Sequence, residues 1–128
     1  MMASSKASLA YYTAEYSPYQ HRQLRIVEFP RTAGTFAQSF ANTIPFSEAI
    51  GFIADVNEKK DDAVDYPYAV TAHEIAHQWW AHQVVGANAQ GATLMSESMS
   101  EYSSLKVLEK GMERDRCVSF SKTRWMAI

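Results

Sequence analysis

The spacing of apolar positions predicts two helices in the second half of the chain. Residues 68 to 82 carry apolar side chains on nearly every side of a helix, which predicts a buried one. Glycines in the segment 86–92 interrupt the pattern. A second helix is then expected from Thr93, which can cap it, to Lys110, with Gly111 after its end. Its apolar positions recur at three- and four-residue steps and predict its buried face: Met95, Met99, Tyr102, Leu105 and Leu108.

The first half is less regular. Residues 7 to 22 predict a tyrosine-rich helix interrupted at Pro18. The β-branched and aromatic run from Leu24 to Pro30 predicts a strand, and the run from Ile50 to Val56 predicts a second one. Residues 31 to 45 are expected to form a loop, and the charged segment 57–67 an exposed turn. Strands followed by helices favour an α+β fold.

Composition narrows the classes of function. The chain has 128 residues, the length of a single domain, and one cysteine, so it has no internal disulfide. Twelve basic and fourteen acidic residues give a net charge of -2, which offers no basic surface for nucleic acid. The longest apolar runs are too short to span a bilayer.

The stretch "HEIAHQWWAH" (residues 73–82) has the spacing of a metal site. Residues four apart on a helix lie about 40° apart around its axis, so His73 and His77 can reach one ion. Glu74 lies about 60° from His77, beside the ion's open side, where it could take a proton from a water. The alternative is two histidines satisfied by ordinary hydrogen bonds. Burying them with a carboxylate would cost several kcal/mol without partners, so we favour a catalytic zinc ion.

A third ligand is expected from the following helix. Glu97 and Glu101 are four residues apart and share one face, so one can bind the ion while the other supports it. Glu97 has few charged neighbours and is the better ligand, which leaves Glu101 as support. His82 would lie about 140° around the first helix from His77 and is expected to face solvent or to lie behind the ligands rather than to bind the ion.

These residues resemble a known family. "HEIAHQWW" is similar to the HExxHQW signature of the aminopeptidase N type of gluzincin, and "SESMSEY" to its N-E-G-x-x-x-Y segment. The likeness extends from Tyr11 to Glu109 and implies a zincin-like fold with a thermolysin-like catalytic lobe. It also implies a peptide substrate and one zinc ion, with Glu97 as the ligand glutamate and Tyr102 as the segment's tyrosine.

The sequence departs from that family in two places. Nineteen residues separate His77 from Glu97, one more than usual, and the extra residue is expected in the 86–92 loop. This spacing also suits thermolysin-like endopeptidases, in which Glu101 would steady His73. The family's amine-binding G-A-M-E-N motif appears only as "FSEAIGF", with Glu48 as the candidate substrate-binding residue. The variant pattern is most similar to a bacterial branch joined to a membrane permease, which implies membrane association through a part outside this chain.

The sequence therefore predicts a zinc-dependent, aminopeptidase-like metallopeptidase. Glu74 is its general base, and the strand 50–56 would carry the extended peptide. Residues 1–128 are expected to be a partial catalytic domain, without the C-terminal part that supplies an oxyanion-stabilising tyrosine. The isolated chain should be weakly active or inactive, and should self-associate through apolar surface around Trp125 and Met126. The alternative is a non-catalytic zinc-binding or partner-binding module, which would need a fourth protein ligand.

Overall fold

The computed structural model describes residues 1–54 and 65–111. They form two parallel strands, four α-helices, a 3₁₀ turn and a π-helical turn. In chain order these are α1 (Met2–Glu15), β1 (Arg25–Phe29), the 3₁₀ turn (Arg31–Ala33), β2 (Thr43–Ser47), α2 (Glu48–Gly51), α3 (Tyr66–Ala76), the π turn (Leu94–Ser98) and α4 (Met99–Gly111). None of the helices in these two ranges has the length and apolar character that crossing a bilayer would require.

Helix α1 lies close against α3 because its buried face is built from small residues. Ser4 donates a hydrogen bond to the carbonyl of Tyr68 at 2.7 Å, and the hydroxyl of Tyr12 donates to the carbonyl of Ala72 at 3.0 Å. The helix ends at Glu15, ahead of Pro18, but it begins five residues before the predicted start. Ser4 and Ser8 are as fully buried as Tyr12, so the pattern of apolar residues alone did not reveal the whole helix.

The prediction of a strand from Leu24 to Pro30 is confirmed by β1, whereas the predicted strand over 50–56 is wrong where the structure describes it. Ser47 accepts a hydrogen bond from the backbone of Ala49 at 3.3 Å and so begins the short helix α2. The second strand is β2, inside the segment expected to be a loop. Its Ile44, Phe46 and Ser47 are fully buried, whereas Thr43 and Pro45 are half-buried.

A short extended segment, residues 36–40, lies antiparallel to β2 on the side away from β1. We call it the edge segment. The backbone N–H of Gln38 donates to the carbonyl of Pro45 at 3.1 Å, and that of Phe40 donates to the carbonyl of Thr43 at 2.9 Å. Alternate residues of an extended segment direct their backbone groups to opposite sides. Those of Ala37 and Ser39 therefore face away from β2.

Helix α3 confirms the predicted buried helix but ends earlier than expected. Asp65 caps its start by accepting from the backbone of Tyr68 at 2.8 Å, and residues 71 to 79 are all buried. The helix ends at Ala76 rather than His82. The chain then folds into tight turns in which Ala81 adopts a positive φ of 123°.

The hydrophobic core lies between α1, the sheet, α3 and α4. The edge of the Tyr12 ring meets Trp79 with 5.4 Å between ring centroids. The fully or almost fully buried members of this core are Tyr12, Ile44, Phe46, Ala72, Ile75, Ala76, Trp79 and Val107.

The predicted buried face of the last helix is confirmed in part, since Leu108 is buried and Met99 and Leu105 are half-buried, but it is wrong at the other two positions. Tyr102 is 54% exposed and Met95 is 38% exposed, whereas Ser100, Ser103 and Ser104 are buried. The π turn holds an extra residue, so positions before and after it no longer share one stripe. Thr93 is in helical conformation and its side chain forms no capping bond. Residues 55–64 and 112–128, with most of the predicted exposed turn, Trp125 and Met126, lie outside the described ranges. The last residues of that predicted turn, Tyr66 and Pro67, belong instead to α3.

Candidate metal centre

The two histidines of the quoted stretch converge. His73 lies in the last turn of α3, and His77 is the residue that ends the helix, with its N–H still bonded to the carbonyl of His73 at 3.3 Å. That bond preserves the helical four-residue spacing. The two Nε2 atoms are consequently 3.2 Å apart.

Glu97 completes the cluster from the π turn. Its Oε2 lies 3.4 Å from Nε2 of His73 and 3.5 Å from Nε2 of His77. The candidate ligand atoms of these three residues lie within 4.8 Å of one another. The structure thus brings together the three residues that the sequence predicted as metal ligands. A π turn holds one more residue than an α-helical turn, so it offers a place for the nineteenth spacer residue besides the 86–92 loop.

The outer ring nitrogens of both histidines are held by other groups. Glu101 accepts from Nδ1 of His73 at 2.9 Å, in the supporting position predicted for it. Nδ1 of His77 donates to the carbonyl of Trp80 at 3.0 Å, with the hydroxyl oxygen of Ser100 also 3.0 Å away. Fixing Nδ1 in this way leaves Nε2 of each ring for an ion. The Trp80 carbonyl was missed because it reaches His77 only through the turn that ends α3.

The same contacts set the charges of the cluster. Burial opposes protonation of His73, but hydrogen bonds to Glu101 and Glu97 outweigh it and raise the pKa of His73 to about 9. Burial lowers the pKa of His77. The bond to His73 lowers the pKa of Glu97. In the metal-free protein His73 is therefore the cationic donor and His77 the neutral acceptor between them, and a metal cation would take the place of that central proton.

Glu74 shares a cleft with the cluster. It is only 8% exposed and lines a cleft of about 260 Å³ together with Ala37, Gln38, Ser39, His73, His77, Ala81, His82, Ser96 and Glu97. His82 is not among the three candidate ligands, as expected, but it lines the cleft beside them. The 140° separation assumed a continuous helix, whereas α3 ends six residues before His82 and the turn at Ala81 redirects the chain.

Two other sequence candidates lie apart from the cluster. The carboxylate of Glu48 accepts a hydrogen bond from the backbone of Arg31 at 2.9 Å, and Glu48 does not belong to the lining of the cleft. Its substrate-binding role stays a prediction. Tyr102, the counterpart of the family's tyrosine, lies exposed on α4.

The donor set suits zinc. Two imidazole nitrogens and one carboxylate oxygen are the protein ligands of many catalytic zinc sites, in which a further position is left for water or substrate. Within the described ranges, the cluster of residues able to hold an ion has three members, one short of a closed structural site. Scans against protein-family models, curated proteins and solved structures gave no match. The gluzincin likeness therefore rests on the quoted motifs.

Proposed function

We propose that this chain is the catalytic lobe of a zinc-dependent metallopeptidase. The observation that carries the proposal is the convergence of the Nε2 atoms of His73 and His77 on Oε2 of Glu97, at 3.2 to 3.5 Å from one another. These three side chains would hold one zinc ion. When bound, zinc polarises a carbonyl and lowers the pKa of a water.

Glu74 is proposed as the general base. Glu74 lines the same cleft and is not one of the three candidate ligands, and in this role it takes the proton of the attacking water and passes it to the leaving amine. The cleft is partly shielded from solvent on the Glu74 side, which strengthens electrostatic interactions there.

The edge segment is proposed to bind the peptide, in place of the strand expected over residues 50–56. Ala37 and Ser39 line the cleft, and their backbone groups face away from β2. An extended peptide could pair with such an edge through main-chain hydrogen bonds, which do not depend on side-chain identity.

Endopeptidase action is the second candidate within the same class, and two observations favour it. Glu48, the expected anchor for a free amine, is bonded to Arg31 and lies outside the cleft lining. Glu101 contacts His73, as the thermolysin-like reading of the spacing requires. Aminopeptidase action remains the proposal that the motif resemblance supports.

A peptidase assay with two substrate types tests the function. The zinc-loaded chain is incubated with an aminoacyl fluorogenic amide and with an internally quenched peptide blocked at its N-terminus. Zinc-dependent cleavage that Glu74→Gln abolishes supports a peptidase, and the preferred substrate separates exo- from endo-action. Zinc binding without cleavage by this chain alone is also expected of a partial catalytic domain. Zinc binding without cleavage by a longer chain that supplies the oxyanion-stabilising tyrosine would favour the non-catalytic zinc-binding module.

A further inference from the structure

Gln78 is a fully buried amide whose side-chain hydrogen bonds go to Ser39, Phe40 and Asn42, of which Ser39 lines the cleft. Its Nε2 donates to Oγ of Ser39 at 2.7 Å and to the carbonyl of Phe40 at 2.8 Å. Its Oε1 accepts from the backbone N–H of Asn42 at 2.9 Å. A buried amide left without these partners would be costly, so the four groups hold one another in place.

These bonds connect the metal cluster to the edge segment. Gln78 directly follows His77 in the chain, and Ser39 lines the same cleft as His77. A second contact reinforces the connection, because Nε2 of His82 lies 3.3 Å from the carbonyl of Ser39. The edge segment is thus hydrogen-bonded to the turns that follow the candidate ligand His77.

The backbone has a positive φ on both sides of the connection. Asn42 has a φ of 54°, in the left-handed region that asparagine tolerates better than most residues, and Ala81 has a φ of 123°, which is strained for a residue with a Cβ. Such conformations persist where surrounding contacts determine them. Here Asn42 is bonded to Gln78 itself, and Ala81 is bonded through its N–H to the carbonyl of Val84 at 3.0 Å.

We propose that Gln78 is a positioning residue that sets the distance between the edge segment and the metal cluster. It thereby controls the affinity of a ligand that spans both, namely an extended peptide bound at the metal. This inference rests on the proposed function. Gln78 itself touches neither the metal nor the reacting atoms, so its loss should weaken spanning ligands and leave the metal site intact.

Two hydroxamates separate these effects. Acetohydroxamate would contact the metal alone, whereas a hydroxamate carried by a dipeptide would also contact the edge segment. Binding of both to the Co²⁺-loaded protein is followed by the visible spectrum of the cobalt ion. The variant Gln78→Glu keeps an acceptor for Asn42 but turns a carboxylate oxygen towards the Phe40 carbonyl. Gln83→Glu is the matched control, because Gln83 lies in the same turns but accepts from Ser17 at 2.9 Å.

The expected result is selective. In Gln78→Glu the affinity for the dipeptide hydroxamate falls by about tenfold, the effect of one neutral hydrogen bond, while the affinities for Co²⁺ and acetohydroxamate stay within about twofold. In Gln83→Glu the affinities for Co²⁺, acetohydroxamate and the dipeptide hydroxamate stay unchanged. Gln78→Ala should also speed exchange of the Asn42 amide hydrogen, which Gln78→Glu should leave slow. Thermal unfolding shows whether each variant is folded. If Gln78→Ala does not fold, the comparison of Gln78→Glu with Gln83→Glu still tests the inference.

Three outcomes overturn the inference. Unchanged affinity for the dipeptide hydroxamate in Gln78→Glu would show that Gln78 does not position the edge segment. Equal losses for both hydroxamates show that Gln78 acts on the metal site itself. If the unsubstituted protein binds Co²⁺ but binds the two hydroxamates equally well, the edge segment does not contact the ligand. The metal site would then still be supported, but the role of Gln78 would not. Failure of the unsubstituted protein to bind Co²⁺ at the cluster refutes the proposed function as well, which distinguishes the two failures.

Discussion

Glu101 accepts a hydrogen bond from Nδ1 of His73 at 2.9 Å, and both side chains are nearly excluded from solvent, at 13% and 11% exposed. The contact fixes the plane of the His73 ring and keeps its proton on Nδ1. Nε2 is then directed at His77 and Glu97. A partner of this kind raises the basicity of a metal-bound imidazole and limits its motion.

Replacing Glu101 should weaken the metal site without removing a ligand. We expect Glu101→Ala to lower zinc affinity by about 10- to 100-fold, since His73 loses its orienting partner. Competition with a chromogenic chelator measures the affinity. Glu109→Ala is the control on the same helix, because Glu109 is exposed and paired with Lys106. Equal affinities in the two variants would show that the Glu101 contact does not support metal binding.

The stability of the zinc-free chain should fall as the pH rises. The pKa of His73 is raised from 6.5 to about 9 in the folded protein, so folding favours its protonated form. This stabilisation is fully present below pH 6.5 and is lost as the pH rises through 9. Thermal unfolding in the presence of a chelator should therefore occur at lower temperature at pH 9 than at pH 6.5. In His73→Gln the part of this loss of stability that comes from His73 should be absent. If the variant lost as much stability between pH 6.5 and pH 9 as the unsubstituted chain, a group other than His73 would be the cause.

Glu74→Gln should separate binding from chemistry. The substitution removes a general base but no expected ligand, so zinc affinity should stay close to that of the unsubstituted chain. Whatever zinc-dependent peptide hydrolysis the chain supports should fall by about 10²- to 10⁴-fold. His77→Ala should instead lose both the metal and the activity. Similar zinc losses in the two variants would contradict the division of roles.

Tyr12 links α1 to the helix that carries His73, and its hydroxyl is buried. Tyr12→Phe leaves the Ala72 carbonyl without this donor and should reduce the free energy of unfolding by about 1–3 kcal/mol. Urea unfolding measures the change. Tyr19→Phe is the control, because the hydroxyl of Tyr19 donates to the carbonyl of Gln23 in an exposed bond and its loss should cost little. If Tyr19→Phe reduced the free energy of unfolding as much as Tyr12→Phe, the buried bond to the Ala72 carbonyl would contribute no more than an exposed one.

The site was more predictable than the fold around it. His73 and His77 could be placed together because four residues of helix bring any two side chains to one face. The same argument placed Glu97 and Glu101 on one face of the next helix, whereas the pairing of Glu101 with His73 came from the likeness to thermolysin-like enzymes. The helical spacings depend on local geometry alone, which a single sequence carries.

The predictions that failed depend on long-range contacts. That His82 lines the cleft was not predicted, because α3 ends where Gln78 finds partners in the edge segment, nearly forty residues earlier in the chain. The second strand was misplaced because Pro45 makes the segment resemble a loop, although Ile44 and Phe46 belong to the core. The buried serines of α1 and α4 escaped an apolar pattern because their value lies in small size, which lets helices approach closely.

The most direct test of the account is to locate the metal. Crystals grown with zinc, measured on both sides of the zinc absorption edge, should show one anomalous peak at about 2.0–2.2 Å from Nε2 of His73, Nε2 of His77 and a carboxylate oxygen of Glu97. A peak bound by Glu101 or His82 in place of Glu97 would contradict the proposed ligand set. A zinc ion bound only elsewhere on the chain would contradict the metal centre itself.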